Sequence, residues 1–221
     1  HTLNAGVSPS QTLPIYASVT AIMAKQGILV PRGGVNELPQ YLAKLATDAG
    51  CKIVLGTSVT AIQKGKVTTA SGDYECDLVV SGLDADKTFE LVSGRAPKKD
   101  PNRSCSGVAI YAVIKRPLPI DTVTHSVVMP DDPSDLYRRL DKNQQPEQTM
   151  AFVNYYKPGE IYENSKPTVA VLLTAAADGN KADLETPWVA KELKRITEVM
   201  GLDEPIQNFF ESYEVLHPSY F

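Results

Sequence analysis

The hydrophobic and polar positions change rhythm near the middle of the chain. Leu13 to Ala24 is rich in apolar residues and helix-prone, and Gly27 to Val30 is a short apolar run that reads as a strand. Gly33-Gly34 follows at once and supplies a tight turn. From Asn36, a reasonable N-cap, Leu38, Tyr41, Leu42, Leu45 and Ala49 recur at helical spacing, and Gly50 ends the pattern. Lys52 to Leu55 predicts a four-residue strand. Thr57 to Gln63 and Lys66 to Ala70 flank Lys64-Gly65, the signature of a hairpin, and Tyr74 to Cys76 continues after a second turn at Ser71-Gly-Asp73. Leu78-Val-Val80 is a continuous apolar run, which suits a strand buried on both faces. Asp84 stands where it can cap a short helix from Ala85 to Leu91.

Ala96-Pro-Lys-Lys-Asp-Pro101 breaks this pattern, and the sequence places a domain crossing there, with residues 1–98 on one side and 99–221 on the other. Beyond it the apolar runs lengthen. Ser106–Ile114 and Thr122–Met129 predict long strands, Asp131–Leu140 a short helix, and Thr149–Tyr155 and Thr168–Ala175 two more strands. Pro187–Met200 is an amphipathic helix with Thr186 as N-cap, Pro187 at its first position and Gly201 just past its end. Ile206–Leu216 reads as a final strand. Long strands with a helix on one face imply an antiparallel sheet with packed helices, a platform of α+β type.

Composition narrows the class without naming the activity. The chain has 221 residues, 43% of them hydrophobic and 22% charged, and a net charge of −4. That balance argues against a nucleic-acid partner, which calls for a basic face. The one basic cluster, Arg95-Ala-Pro-Lys-Lys99 with Arg103, sits among Pro, Asp and Asn and reads as a solvated loop. Cys51, Cys76 and Cys105 show no C-x-x-C spacing and read as small buried hydrophobes in a reducing compartment, which points to the cytoplasm. Leu13–Ala24 falls short of the roughly 18 apolar residues needed to cross a bilayer, and is either a core helix or an interfacial or substrate-lining one. The start at His1 and the aromatic end at Tyr220-Phe221 suggest an internal fragment of a longer protein.

No G-x-G-x-x-G, G-x-x-x-x-G-K-[ST], H-E-x-x-H or G-x-S-x-G occurs. His1, His125 and His217 do not cluster with Cys, Asp or Glu at ligand spacing, so no metal site is predicted. His125, in a strand, reads as a hydrogen-bonded structural residue. Asp131-Asp132 at a helix start complements the helix dipole. No nucleophile or acid–base pair is nominated, so an enzyme built on this chain would leave its chemistry to a cofactor.

Taken in order, Gly27-Ile-Leu-Val-Pro-Arg-Gly-Gly34, the helix to Leu45, Gly50-Cys-Lys-Ile53, Val59-x-x-Ile62 and Asp77-Leu-Val-Val-Ser-Gly-Leu-Asp84 resemble the phytoene desaturases of the flavin-containing amine oxidase group. Ser104-Cys-Ser-Gly-Val108 to Tyr111 and Val169-Ala-Val-Leu-Leu-Thr174 resemble strands of that family's substrate domain. The resemblance implies FAD in a two-part Rossmann-like domain, of which residues 1–98 would be a partial FAD-binding α/β segment, and a sheet-and-helix domain over the flavin ring. It also implies hydride transfer from an unactivated C–C bond, or isomerisation of such bonds, in a long apolar, polyene-type substrate. Such a substrate offers nothing to ionise, so an apolar tunnel and peripheral membrane contact are expected.

By position, the resemblance nominates Val59, Ser81 and Gly82 as cofactor-binding residues. Val59 reads equally as a strand-core valine, and Ser81-Gly82 as a strand-ending turn. Tyr111, Met129 and Tyr155 are candidates for the substrate side, with core packing as the competing reading. The N-terminal glycine-rich fingerprint and the C-terminal Gly-rich segment of the family are missing from this sequence, so the piece alone is expected to bind FAD weakly or not at all. Two other readings stand beside this one: a non-enzymatic module binding an apolar ligand or a protein, and a flavin amine or porphyrinogen oxidase.

Overall fold

The computed structural model describes residues 6–97, 104–119 and 121–220. The domain crossing near Ala96–Pro101 and most of the basic cluster up to Arg103 lie outside these residues. Five α-helices are described: α1 (Tyr16–Gln26), α2 (Glu37–Asp48), α3 (Ala85–Ser93), α4 (Pro133–Leu140) and α5 (Pro187–Val199). The strands are β1 (Val59–Gln63), β2 (Lys66–Thr69), β3 (Gly72–Glu75), β4 (Ser106–Ile114), β5 (His125–Val128), β6 (Ala151–Tyr156), β7 (Thr168–Ala175) and β8 (Phe210–Leu216). The result is a mixed α+β chain with two antiparallel sheets.

The chain divides into two compact units, His1–Leu38 with Arg103–Phe221, and Pro39–Asn102. The division differs from a single break near residue 98, because the N-terminal segment hydrogen-bonds to the second half. The Cys105 N–H donates to the Gly6 carbonyl (2.8 Å) and the Gly33 N–H to the Ile161 carbonyl (2.7 Å).

In the larger unit the sheet order is β5-β6-β7-β4-β8. One face carries Val108, Ile110, Ala112 and Ile114 from β4, Ala151, Val153 and Tyr155 from β6, and Val169, Val171 and Leu173 from β7. Against it packs α5, whose Val189, Leu193 and Ile196 recur at i, i+4 and i+7 and are fully buried. Burial of each such side chain stabilises the fold by about 1.5–3 kcal/mol. Pro187 opens α5 as expected, but Thr186 makes no side-chain cap; its hydroxyl donates instead to the Asp183 carboxylate (2.9 Å). Asp132 caps α4 by accepting from the N–H groups of Ser134 (2.9 Å) and Asp135 (3.2 Å).

The smaller unit holds the β1-β2-β3 meander, with α3 packed on β1 and Leu91 buried beneath it. The hairpin at Lys64-Gly65 forms as expected, with Gln63 opposite Lys66. Asp84 caps α3 by accepting from the Asp86 N–H (2.9 Å).

Three expected strands are absent. Gly27–Val30, Lys52–Leu55 and Leu78–Val80 pair with no strand, and Leu29, Leu55, Leu78 and Val80 are exposed rather than buried. A strand exists only by its ladder partners, and the described residues offer these runs none. Thr122–Met129 contracts to His125–Val128, and the Ile206 end of the last strand is a 3-10 turn. Cys51 is exposed, and Cys76 and Cys105 are half-buried, so none is a fully buried core residue.

Candidate functional site

The site follows from the two-residue period of the sheet. Side chains that alternate with the core residues point to the face opposite α5. Register aligns them in rows across the strands. His125 lies opposite Asn154, Asn154 opposite Ala170, Ala170 opposite Tyr111, and Tyr111 opposite Glu214. A second row runs Tyr156, Thr168, Val113, Ser212, and a third runs Val127, Phe152, Leu172, Ala109, Leu216. Ala170, the smallest side chain of the central row, stands between Asn154 and Tyr111 and leaves a depression there.

That depression is a groove of about 710 Å³. Its lining includes Tyr111, Asn154, Tyr156, Tyr162, Ala170, Leu172, Ser212 and Glu214. Tyr162 stands edge-on to Tyr156, ring centroids 5.3 Å apart at 80°, and His125 also stands edge-on to Tyr156, at 6.4 Å. His125 Nδ1 is 2.8 Å from Asn154 Oδ1. Burial pushes the Tyr156 phenol above its ordinary range, and the neighbouring Tyr162 and Tyr111 phenols add to the rise. Tyr156 is therefore a neutral hydrogen-bond donor throughout the physiological range. Aromatic and apolar side chains share the groove with Asn154 and Glu214 of the first row and Thr168 and Ser212 of the second. It can orient a long apolar molecule.

Of the expected substrate-side residues, Tyr111 lines this groove. Tyr155 does not: it is 1% exposed and belongs to the core beneath α5. Its neighbour Tyr156 takes the groove side, because successive residues of a strand face opposite ways. Met129 is exposed just past β5, and its carbonyl accepts from Arg195 (2.8 Å). The alternation of Phe152, Asn154 and Tyr156 with Ala151, Val153 and Tyr155 carried the signal that separates the two tyrosines. Tyr162, on the β6–β7 loop, had no local signal.

The expected cofactor residues lie in the smaller unit. Val59 opens β1 opposite Thr69, half-buried, just before a register shift. The Ser81 hydroxyl pairs with that of Thr88 (2.7 Å) and accepts from the Leu83 N–H (3.3 Å). Gly82 has open space where a Cβ would stand. A second groove, of about 420 Å³, is lined by Ile62, Lys64, Cys76, Leu78, Val79 and Val92 among others, and by none of these three.

The N-termini of α2 and α3 do not fit a dinucleotide pyrophosphate. Such a group needs free N–H donors at a helix N-terminus reached through close-approach glycines. Here the first turn of α3 is capped by the Asp84 carboxylate, and that of α2 carries Glu37. Both would repel an anion. Among the described residues no group of three or more His, Cys, Asp or Glu side chains could hold a metal ion, and no helix is long and apolar enough to cross a membrane.

An open sheet face over a helix-backed core makes the larger unit an α+β platform, carried in a chain that also holds a small strand-and-helix unit. The chain belongs to the flavin-containing amine oxidoreductase family, whose model matches residues 3–193. FAD is the cofactor of full-length relatives in this enzyme family. The chain is 34% identical over 132 residues to a phytoene dehydrogenase of Streptomyces griseus, covering 57% of this chain and 26% of that protein. It is 30% identical over 103 residues to a lycopene-forming phytoene desaturase of Pseudescherichia vulneris, covering 44% of this chain and 21% of the relative. A zeta-carotene-forming phytoene desaturase of Myxococcus xanthus is 26% identical over 164 residues, 69% of this chain and 32% of its own length. The chain thus spans a third or less of each of these relatives.

Proposed function

We propose that this chain is an internal segment of an FAD-dependent oxidoreductase of the phytoene desaturase type, which dehydrogenates C–C bonds of a long apolar, carotenoid-type substrate. The smaller unit then contributes part of a Rossmann-like FAD domain, and the larger unit most of the substrate platform. The groove over Ala170, walled by Tyr111, Tyr156 and Tyr162, is the observation that carries this reading. Its floor suits a hydrocarbon chain. The unpaired apolar runs at Lys52–Leu55 and Leu78–Val80 support the fragment reading, since Rossmann strands pair with neighbours the described residues do not supply. The longer protein is cytoplasmic in this reading and touches the membrane peripherally to collect its substrate.

The test is to express the longer protein with its native flanks and present phytoene in liposomes with an electron acceptor. Red-shifted polyene absorption bands are the expected result. Oxidation of an amine or a porphyrinogen, with phytoene unchanged, would overturn the substrate class.

A further inference from the structure

We propose that the Gly33-Gly34 turn is a seat for Tyr162, and that Tyr162 held there walls the groove and sets its affinity for an elongated conjugated ligand. The ligand class rests on the carotenoid-type reading above; the seat rests on geometry.

The Gly34 N–H donates to the Pro31 carbonyl (2.9 Å) and closes a turn with Gly33 at its third position. Gly33 has φ +91°, the left-handed backbone that a type II turn demands there. The Gly33 N–H points outward to the Ile161 carbonyl at 2.7 Å and ties down the β6–β7 loop beside Tyr162. Gly34 is buried, with φ +96°, and the Tyr162 ring packs on its backbone. A Cβ on Gly34 would stand 2.9 Å from both Cζ and Oη of Tyr162, and nearer still to Cε1. Position 34 therefore excludes a side chain twice, by backbone conformation and by space. Beyond the seat, Tyr162 meets Tyr156 edge-to-face, and both rings line the groove. Contact thus runs from Gly34 through Tyr162 to Tyr156 and the groove. Gly34 is a positioning residue, and it acts through Tyr162.

The experiment titrates the 221-residue chain with a fluorescent conjugated tetraene fatty acid and follows the rise in probe fluorescence, with thermal unfolding run on every variant. Wild type is expected to show saturable binding, and Tyr162→Phe, which keeps the ring, to match it within about twofold. Tyr162→Ala should bind about fivefold more weakly, the scale of one lost aromatic contact. Gly34→Ala should show a comparable loss although Tyr162 is present, and the double variant no further loss. Unchanged binding by Tyr162→Ala, or losses that add, would overturn the seat alone. Should Gly34→Ala not fold, the Tyr162→Ala and Tyr162→Phe pair decides it: equal affinities overturn the proposal. Absence of saturable binding by wild type overturns the carotenoid-type reading and the proposal with it.

Discussion

Arg195 reaches from α5 to the ends of two strands. Its guanidinium donates to the carbonyls of Met129 (2.8 Å) and Thr149, and to Oε2 of Glu192, at 3.0 Å from Nε and 2.6 Å from Nη2. Glu192 is 2% exposed, and its Oε1 has no hydrogen-bond partner. A buried carboxylate is tolerated only with its partner in place. Arg195→Met should therefore destabilise the larger unit by about 3–5 kcal/mol, and Glu192→Leu in that background should recover much of the loss. Urea denaturation of the single and double variants measures both.

Titratable residues elsewhere in the larger unit set the acid limb. The Arg116 guanidinium bonds to Asp203 and Glu204 (both 2.8 Å) and lies 4.2 Å from the centroid of the Phe209 ring. Its hydrogen bond holds the Asp203 carboxyl below the usual carboxylate range, and hydrogen bonds from Thr186 do the same for Asp183. A depressed folded-state pKa adds stability above the unfolded value near 4, and that stability is lost as pH falls through the folded value. The double variant Asp183→Asn/Asp203→Asn should thus show a shallower fall in stability below about pH 4. An unaltered acid limb in a pH series of thermal melts would contradict this. Burial pushes the Cys105 thiol up, while Cys51 is exposed. Iodoacetamide followed by mass spectrometry should therefore label Cys51 first and Cys105 last, since the thiolate is the attacking form.

At the scale of elements, legibility tracked how far each element carries its own partners. Ser106–Ile114 and Thr168–Ala175 were readable to the residue because they are β-branched runs in the middle of a sheet. The α5 helix was readable from its apolar stripe and Pro187. Gly27–Val30, Lys52–Leu55 and Leu78–Val80 are as apolar, yet form no strand, because the ladder that would define them is not in the described residues. The same limit governed the site. Tyr111 could be nominated from its strand, but Tyr162 joins the groove only through a turn far away in sequence, and no periodicity records that. Caps are the converse case, being local. Asp132→Ala removes the acceptor of two first-turn N–H groups and should destabilise α4 by about 1 kcal/mol. Hydrogen exchange should show faster α4 amides, with β4 and β7 unchanged.

For the whole molecule, the apolar side chains left exposed bear on the proposed fragment reading. Helix α2 buries none of its side chains, although Leu38, Leu42 and Leu45 line one stripe. Leu55, Leu78 and Val80 of the smaller unit are exposed as well, and exposed apolar side chains of this kind mark an interface. In the proposed fragment reading, these side chains meet further FAD-binding segments of the longer protein. The electrostatics point the same way. A pyrophosphate needs a helix N-terminus without a competing anion, and α2 and α3 begin with Glu37 and Asp84. The 221-residue chain, purified alone, should therefore carry no stoichiometric flavin absorbance, and adding FAD should leave its melting temperature unchanged. The longer protein should copurify with flavin, and hydrogen exchange should find the amides of residues 52–55 and 78–80 slowed by partners they lack here. Stoichiometric flavin in the 221-residue chain would overturn this reading, because the pyrophosphate would then have to be held by residues that include no glycine-rich fingerprint. Slow exchange at residues 78–80 in the short chain would overturn it equally, by showing that the run needs no further strand to be protected.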